Sequence, residues 1–322
     1  MMTGLAAMPF AISLDSVTKS YGAVRAVRGL SLQVPEGSVY GFLGPNGSGK
    51  TTTIRMMVHI LVPDGGEVRI QGQPGGDHVK DLIGYLPEER GLYPKMKVRE
   101  VIEFFAALKS VPAAQVRSRV KTWLERLDLG AWSEKQVNEL SKGMQQKIQF
   151  IVAVIADPPI LILDEFSSGL DPINANELKD VLLDLRAQGK TILFSTHRME
   201  EAERLCDHVC LIDHGAKVLD GRLDAIRAAA GTSTLRIESR GDRALLRQAP
   251  GVAEVADFGN YAELRLTPEA QTPAAVAAIV RFLAPQLEIT GFQLQAPSLN
   301  QIFIDTIAGI GAGTEVSTAH QS

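Results

Sequence analysis

Val39-Tyr40-Gly41-Phe42-Leu43-Gly44-Pro45-Asn46-Gly47-Ser48-Gly49-Lys50-Thr51 is the stretch that decides the fold. Its first five residues read as a buried strand, and Lys50 to about Ile60 reads as a helix. Between them, Gly44 to Thr51 match G-x-x-x-x-G-K-[ST], in the strand–loop–helix context that the pattern requires. Glycines at these positions let backbone N–H groups curl around an oxyanion without Cβ collisions. The following helix aims its positive end at the same anion. Lys50 is expected to reach the outer oxygens of a bound polyphosphate, and the Thr51 hydroxyl to meet Mg²⁺. Gly44, Pro45, Asn46, Gly47, Ser48, Gly49 and Thr52 complete the expected nucleotide contacts. By chance the pattern arises in roughly one of a hundred chains of this length, so an accidental glycine-rich turn is the poorer reading.

Outward from this loop, Pro159-Ile160-Leu161-Ile162-Leu163-Asp164-Glu165 is an apolar strand ending in two carboxylates. That placement puts both at the C-terminal edge of a parallel sheet, where ligands bind. Asp164 is read as a metal-side carboxylate and Glu165 as the group that polarises an attacking water. A second apolar strand, Thr191–Phe194, follows a helix that starts at Asp171-Pro172 and stops at Gly189. Alternating strands and helices imply a mainly parallel sheet covered on both faces. Residues 11–40 alternate around Gly22, Gly29 and Gly37 and predict short antiparallel strands, with further strands at 67–70 and 82–86. Between about 88 and 156 apolar residues recur at helical spacing, with Gly130 as a stop, which predicts a helical subdomain. The sequence thus divides into an α/β domain over 11–230, a small α+β module over 231–307 and a tail over 308–322 expected to be mobile.

Composition narrows the function classes. Lys plus Arg is 33 and Asp plus Glu 37, a net charge of −4, so no overall basic field grips nucleic acid. The two cysteines, Cys206 and Cys210, exclude a disulfide-rich scaffold and read as buried thiols, not as a metal site with His208. A reducing cytoplasmic setting fits this usage. The longest apolar runs fall far short of the 18 or so residues of a membrane span, and the N-terminus lacks the charge of a secretory signal.

Further motifs carry a resemblance. Leu140-Ser141-Lys142-Gly143-Met144-Gln145-Gln146 resembles the Leu-Ser-Gly-Gly-Gln signature of ABC ATPases. Ser168-Gly169-Leu170-Asp171-Pro172 resembles their D-loop, and Ser195-Thr196-His197 their switch histidine. Tyr21 stands where the family places a ring to stack on adenine. With the phosphate loop and the Asp164-Glu165 strand, the chain resembles the nucleotide-binding subunit of an ABC transporter over residues 11 to about 228: a P-loop NTPase of the ABC ATPase kind with a helical subdomain, plus a C-terminal α+β domain. The resemblance implies ATP and Mg²⁺ as ligands and a head-to-tail homodimer closing on two ATP. Ser141 and the Gly143 N–H would bind the γ-phosphate of ATP held by the facing copy. His197 would contact the γ-phosphate and help orient the attacking water, and Asp171 would link the two sites across the dimer. A separate membrane permease would receive the stroke, placing the chain on the inner face of the cell membrane.

Two departures stand out. Glu88 occupies the place of the family's Q-loop glutamine, and is expected to meet Mg²⁺ or the attacking water as an oxygen ligand. Lys142 and Met144 replace a glycine and a glutamine of the signature, while Ser141 and Gly143 remain. The stretch from Gly84 to Val98 resembles bacterial exporter ATPases, including sodium-export-like subunits, that carry a C-terminal extension; Pro297 to Ile304 is similar to the extension's closing helix. The functional expectation is an ATPase motor of a transporter, exporting rather than importing. The alternative is a soluble ABC ATPase of translation or DNA maintenance. A module that only binds ATP is disfavoured, because Glu165 and His197 are both present.

Overall fold

The computed structural model describes residues 10–89, 91–230, 234–295 and 297–307. The expected tail at 308–322 lies outside the described residues. The chain divides between Gly221 and Arg222 into two compact units, upstream of the boundary expected near residue 230.

In chain order the first unit runs β1 (Phe10–Tyr21), β2 (Val24–Pro35), β3 (Val39–Leu43), α1 (Lys50–Met57), β4 (Gly65–Ile70), β5 (Gln73–Pro74), α2 (Val79–Leu82) and β6 (Ile83–Leu86). It continues with α3 (Val98–Leu108), α4 (Ala113–Arg126), α5 (Lys142–Val154), β7 (Ile160–Asp164), α6 (Pro172–Ala187), β8 (Thr191–Thr196), α7 (Met199–Leu205), β9 (His208–Asp213) and β10 (Ala216–Arg222). Strands β1 and β2 pair antiparallel over their whole length, so the short strands expected over 11–40 are in fact one long hairpin. With β4 and β5 they form a sheet in the order β2-β1-β4-β5.

The central sheet has the order β10-β9-β3-β8-β7-β6, and β9, β3, β8, β7 and β6 run parallel. Alternate residues of its middle strands serve two cores. Ile160, Ile162, Leu193, Tyr40 and Phe42 face the side of α1 and the antiparallel sheet. Leu161, Leu163, Ile192 and Phe194 face the helices α3 to α6. Burial on both faces explains why these strands are apolar throughout.

Register then positions the site. Leu43 pairs with Thr196, Asp164 with Ser195, and Leu86 with Leu163. The C-terminal ends of four neighbouring strands therefore finish level. Each releases one expected site segment at the same edge: the loop after β3, His197 after β8, Glu165 after β7 and Glu88 after β6.

Three local details differ from the sequence reading. Helix α1 ends at Met57, because His59 takes a left-handed φ of 56°. Helix α4 ends at Arg126, and Asp128, at φ 53°, turns the chain where Gly130 was expected to do so. Gly130 instead opens a short 3-10 turn. Helix α6 starts and stops as expected, with Asp171 as its N-cap and Gly189 at φ 88°.

The second unit holds α8 (Leu223–Ala230), β11 (Thr234–Arg240), β12 (Val252–Asp257), β13 (Ala262–Leu266), α9 (Pro273–Leu283), β14 (Glu288–Gln295) and a closing helix α10 over 299–307. Its antiparallel sheet has the order β12-β13-β11-β14. Val276, Ile279 and Leu283 of α9 pack with Leu235, Ile237 and Leu264 on one face. On the opposite face, Ser298 donates to Glu263 at 3.1 Å and Arg265 pairs with Asp305 at 2.6 Å, which seats α10.

Candidate functional site

The loop between β3 and α1 is shaped by its glycines. Gly49 precedes α1 with φ 103°, and a Cβ there would lie 2.4 Å from the Ala26 carbonyl oxygen. A Cβ on Gly44 would lie 2.3 Å from the Ile212 carbonyl oxygen. Side chains at either position would push the loop off the strands that hold it, which is the close-approach role the pattern predicts. Lys50, 6% exposed, folds back over the loop, and its Nζ donates to the carbonyls of Gly44 at 2.8 Å and Pro45 at 3.1 Å. Burial lowers the Lys50 ammonium below the ordinary lysine range, and the carboxylates of Glu165, Asp164 and Glu88 pull it back up. Thr51 and Thr52 are half-buried in the first turn of α1.

Asp164 is fully buried at the end of β7. Its Oδ1 accepts from the Ser195 hydroxyl, while Oδ2 is buried without a partner. The Ser48 hydroxyl is likewise buried and unpartnered. An orphaned carboxylate oxygen and an orphaned hydroxyl at one strand edge are costly unless a ligand satisfies them. A cation beside an oligophosphate has this chemistry, so the residues present fit Mg²⁺ and nucleotide, with Thr51, Asp164 and Glu88 as the available oxygen donors.

Glu165 takes a left-handed φ of 53°. Such a conformation costs a non-glycine residue on the order of 1–3 kcal/mol and persists only when its surroundings impose it. Here its N–H donates to the Ser195 carbonyl at 3.3 Å and hydroxyl at 3.1 Å, and its carbonyl accepts from Ser168 N–H at 3.0 Å. The twist turns the carboxylate toward the loop, where Oε1 lies 3.9 Å from Lys50 Nζ. His197 Nδ1 lies 3.0 and 3.1 Å from its two oxygens. Lys50, Asp164, Glu165 and His197 are thus brought together as the sequence predicts.

Other expected residues lie apart from that cluster. Ser141 caps α5, its Oγ accepting from Met144 N–H at 3.2 Å. A Cβ on Gly143 would lie 3.4 Å from Leu170, so the start of α5 sits against the loop leading to Asp171. Asp171 caps α6, accepting from the N–H groups of Ile173 and Asn174 at 3.0 Å each. These bonds hold the Asp171 carboxyl below its usual range, the Asn174 N–H most of all. Among the described residues, no hydrogen bond or ion pair joins Ser141, Gly143 or Asp171 to Lys50. Tyr21 ends β1 and is 49% exposed. Glu88 is exposed on the segment after β6, near enough to act on Lys50 and Tyr85; Tyr85 is raised to about 12, mainly by burial.

Sequence reasoning missed the residues that hold this site in shape. Ser195 clasps both Asp164 and Glu165. Glu201 ties Ser167 to Thr196, Gln146 donates to the Phe166 carbonyl at 3.2 Å, and Lys147 of α5 pairs with Glu177 of α6 at 2.5 Å. The only sequence signal for Glu201 was an acid on the same helix face as buried Ala202 and Leu205. Cys210 is buried in β9 and Cys206 follows α7; burial raises both thiols, and no metal-binding group of His, Cys, Asp or Glu occurs among the described residues.

A parallel sheet whose glycine loop, helix N-terminus and paired carboxylates share one edge defines a P-loop nucleoside triphosphatase. The family profile described as ABC transporter matches residues 27–168, and that described as ATP-binding protein DrrA1-3-like, C-terminal domain, matches 221–307. The ABC transporter ATP-binding protein YhaQ of Bacillus subtilis (strain 168) is 41% identical over 299 residues, 93% of this chain and 99% of its own. The chain belongs to the ATP-binding subunits of ABC transporters, an ATPase family that hydrolyses ATP to power transport. Nod factor export ATP-binding protein I of Paraburkholderia xenovorans (strain LB400) is 41% identical over 68% of this chain and 73% of its own. Among solved structures, an ATP-binding subunit of an ABC transporter matches with a TM-score of 0.65 at 28% identity, over 69% of this chain and 93% of that one. The dimeric bacterial cassette MJ0796 matches with a TM-score of 0.62 at 25% identity, over 66% and 98%, and a second structure of it is a post-hydrolysis state bound to ADP and Pi.

Proposed function

We propose that two copies of this chain close head to tail on two ATP molecules and power export through a separate permease. The observation that carries the reading is the sheet edge where Lys50, Glu165 and His197 gather beside the buried, unpartnered Asp164 Oδ2 and Ser48 hydroxyl. Lys50 and the loop N–H groups from Gly44 to Thr52 hold the phosphates, and Tyr21 stacks on the base. Thr51, Asp164 and Glu88 would hold Mg²⁺, which would supply charge to neutralise the phosphates. Glu165 takes a proton from the water that attacks the γ-phosphorus. The bond to the bridging oxygen breaks as the new P–O bond forms, and ADP leaves with phosphate. His197 orients that water and contacts the γ-phosphate. Positioning and charge stabilisation supply the rate.

Ser141 and the Gly143 N–H complete the γ-phosphate site of the facing copy, with Asp171 between the two sites. Contact between the start of α5 and the Leu170 loop supports this, since one surface then presents all three groups. The dimeric cassette among the solved relatives supports pairing, and the export names among the curated relatives support the direction. Membership of the ATP-binding subunits of ABC transporters supports a separate permease and a seat on the inner membrane face; no helix among the described residues is long and apolar enough to cross a membrane. The domain division that goes with this reading is a motor ending near Gly221, with its helical subdomain at about 88–156, and an extension from about Arg222 to 307.

The test is the Glu165→Gln chain. It is expected to bind ATP, lose hydrolysis by at least about 100-fold and accumulate as a dimer on ATP, seen by light scattering. A variant that stays monomeric at saturating ATP, or hydrolyses at the native rate, overturns the proposal.

A further inference from the structure

Glu201, in the first turn of α7, is 2% exposed and lies outside every motif discussed above. Its Oε1 accepts from the Ser167 hydroxyl at 2.7 Å and from Arg198 Nη1 at 2.8 Å, and lies 3.9 Å from Lys179 Nζ. Its Oε2 accepts from the Ser167 hydroxyl at 2.9 Å and from the Thr196 hydroxyl at 3.2 Å. Thr196 Oγ1 in turn accepts from the Arg198 N–H at 3.0 Å. One buried carboxylate therefore holds residues on both sides of His197. It also holds Ser167, which lies between Glu165 and Asp171, and Lys179 on the helix that Asp171 caps.

We propose that Glu201 is a positioning residue for hydrolysis: it locks the segment carrying His197 to the loop joining Glu165 to Asp171, so that the catalytic pair and the group facing the second copy shift as one body. The assignment rests on the function proposed above. A buried carboxylate is tolerated only where donors surround it. Arg198 alone would neutralise its charge. The two hydroxyls, each beside a segment of the site, add no charge; what they add is direction, because each fixes one backbone segment relative to the other. Errors of an ångström in such placement cost catalysis far more than binding.

The experiment compares Glu201→Gln, Ser167→Ala and Thr196→Val in the full chain by steady-state ATP hydrolysis, beside the native and Glu165→Gln chains. Glu201→Gln is expected to lower kcat by about 10- to 100-fold, with KM for ATP within about twofold of native. Ser167→Ala is expected to lower kcat about fivefold in the native background and under twofold in the Glu201→Gln background, because both act through one carboxylate. A kcat within twofold of native for Glu201→Gln overturns the proposal. So does a KM that rises in step with the loss of kcat, or a product of single effects in the double variant. Should Glu201→Gln fail to fold, the Ser167→Ala and Thr196→Val pair decides: less-than-multiplicative losses support the proposal, and independent losses overturn it. A native chain without ATPase activity, or a Glu165→Gln chain that does not pair on ATP, overturns the function and this assignment together. A normal native chain beside an unaffected Glu201→Gln overturns this assignment alone.

Discussion

His197 Nδ1 sits 3.0 Å from Oε1 and 3.1 Å from Oε2 of Glu165, so a single ring nitrogen spans both oxygens of the carboxylate. Assigned as the donor, Nδ1–H fixes the plane of the ring and leaves Nε2 as the atom that can reach a ligand. The two partners differ in exposure: the Glu165 side chain is 9% accessible and the His197 side chain 50%. The base is thus shielded within the chain, while the ring beside it is open to solvent.

That geometry separates binding from chemistry. His197→Ala is expected to lower kcat about 100-fold while changing ATP affinity less than threefold, because Lys50 and the loop are untouched. Single-turnover hydrolysis and titration with a fluorescent nucleotide measure the two quantities. An affinity loss that accounts for the whole effect would mean that His197 serves ground-state binding only.

The glycines of the phosphate loop are not equivalent. An alanine at Gly49 combines φ 103° with a Cβ at 2.4 Å from the Ala26 oxygen, a backbone atom that cannot swing away. Gly49→Ala is expected to cost on the order of 3 kcal/mol or more. At Gly47, φ is 78° but nothing lies within 4 Å of the Cβ position, so Gly47→Ala is expected to cost about 1–2 kcal/mol. Urea unfolding of both variants checks the order; equal losses would show that the close approach is relieved by loop movement.

The same loop shows what a sequence can reveal. Its residue types and the apolar run of β7 are local patterns, and each was legible. The conformation of Glu165 was not. A left-handed glutamate has no local signature, and this one is imposed by the Ser195 carbonyl and hydroxyl from a neighbouring strand. Helix ends failed for a related reason: Asp128 adopts positive φ ahead of the expected stop at Gly130, and His59 does so inside the stretch read as helix to about Ile60. Glu201 was invisible because Ser167, Lys179 and Thr196 come from three separate segments. The division at Gly221 was obscured because that glycine lies inside β10, next to its last residue, while Gly231-Thr232-Ser233 has the stronger loop composition.

Lys50 makes nucleotide binding pH-dependent in a definite direction. In the free chain burial holds its proton affinity below the ordinary lysine value of about 10.4. Bound phosphates add negative charge beside the ammonium and raise that affinity. Between the lowered free value and the raised bound value, ATP binding takes up a proton, and affinity falls as pH rises through the window. The linkage for folding has the opposite sign: the penalty for the buried ammonium is present below the lowered value and is relieved as pH rises toward 10.4 or so. Calorimetric titrations of ATP in two buffers of different ionisation enthalpy, at alkaline pH, measure the uptake. Its persistence in Lys50→Met would assign the proton to another group.

The pair Lys147–Glu177 joins α5, whose N-terminus carries Ser141 and Gly143, to α6, whose N-cap is Asp171. The Lys147 side chain is 7% accessible, and besides Glu177 its ammonium has the Leu127 carbonyl at 3.3 Å. Glu177→Ala strands that charge and is expected to cost about 2–3 kcal/mol, toward the low side of buried pairs because Glu177 is 30% accessible. Replacing both partners, Lys147→Met with Glu177→Leu, is expected to bring stability back to within about 1 kcal/mol of native, since no unpaired charge then remains. Pairing on ATP is the sharper readout. The apolar pair keeps α5 and α6 packed but gives up a directed contact, whereas the single variant loosens the surface offered to the second copy. Glu177→Ala is therefore expected to weaken ATP-driven dimerisation of the Glu165→Gln chain by about tenfold and the double variant to restore most of it. Equal dimerisation in all three backgrounds would mean that this contact serves stability alone.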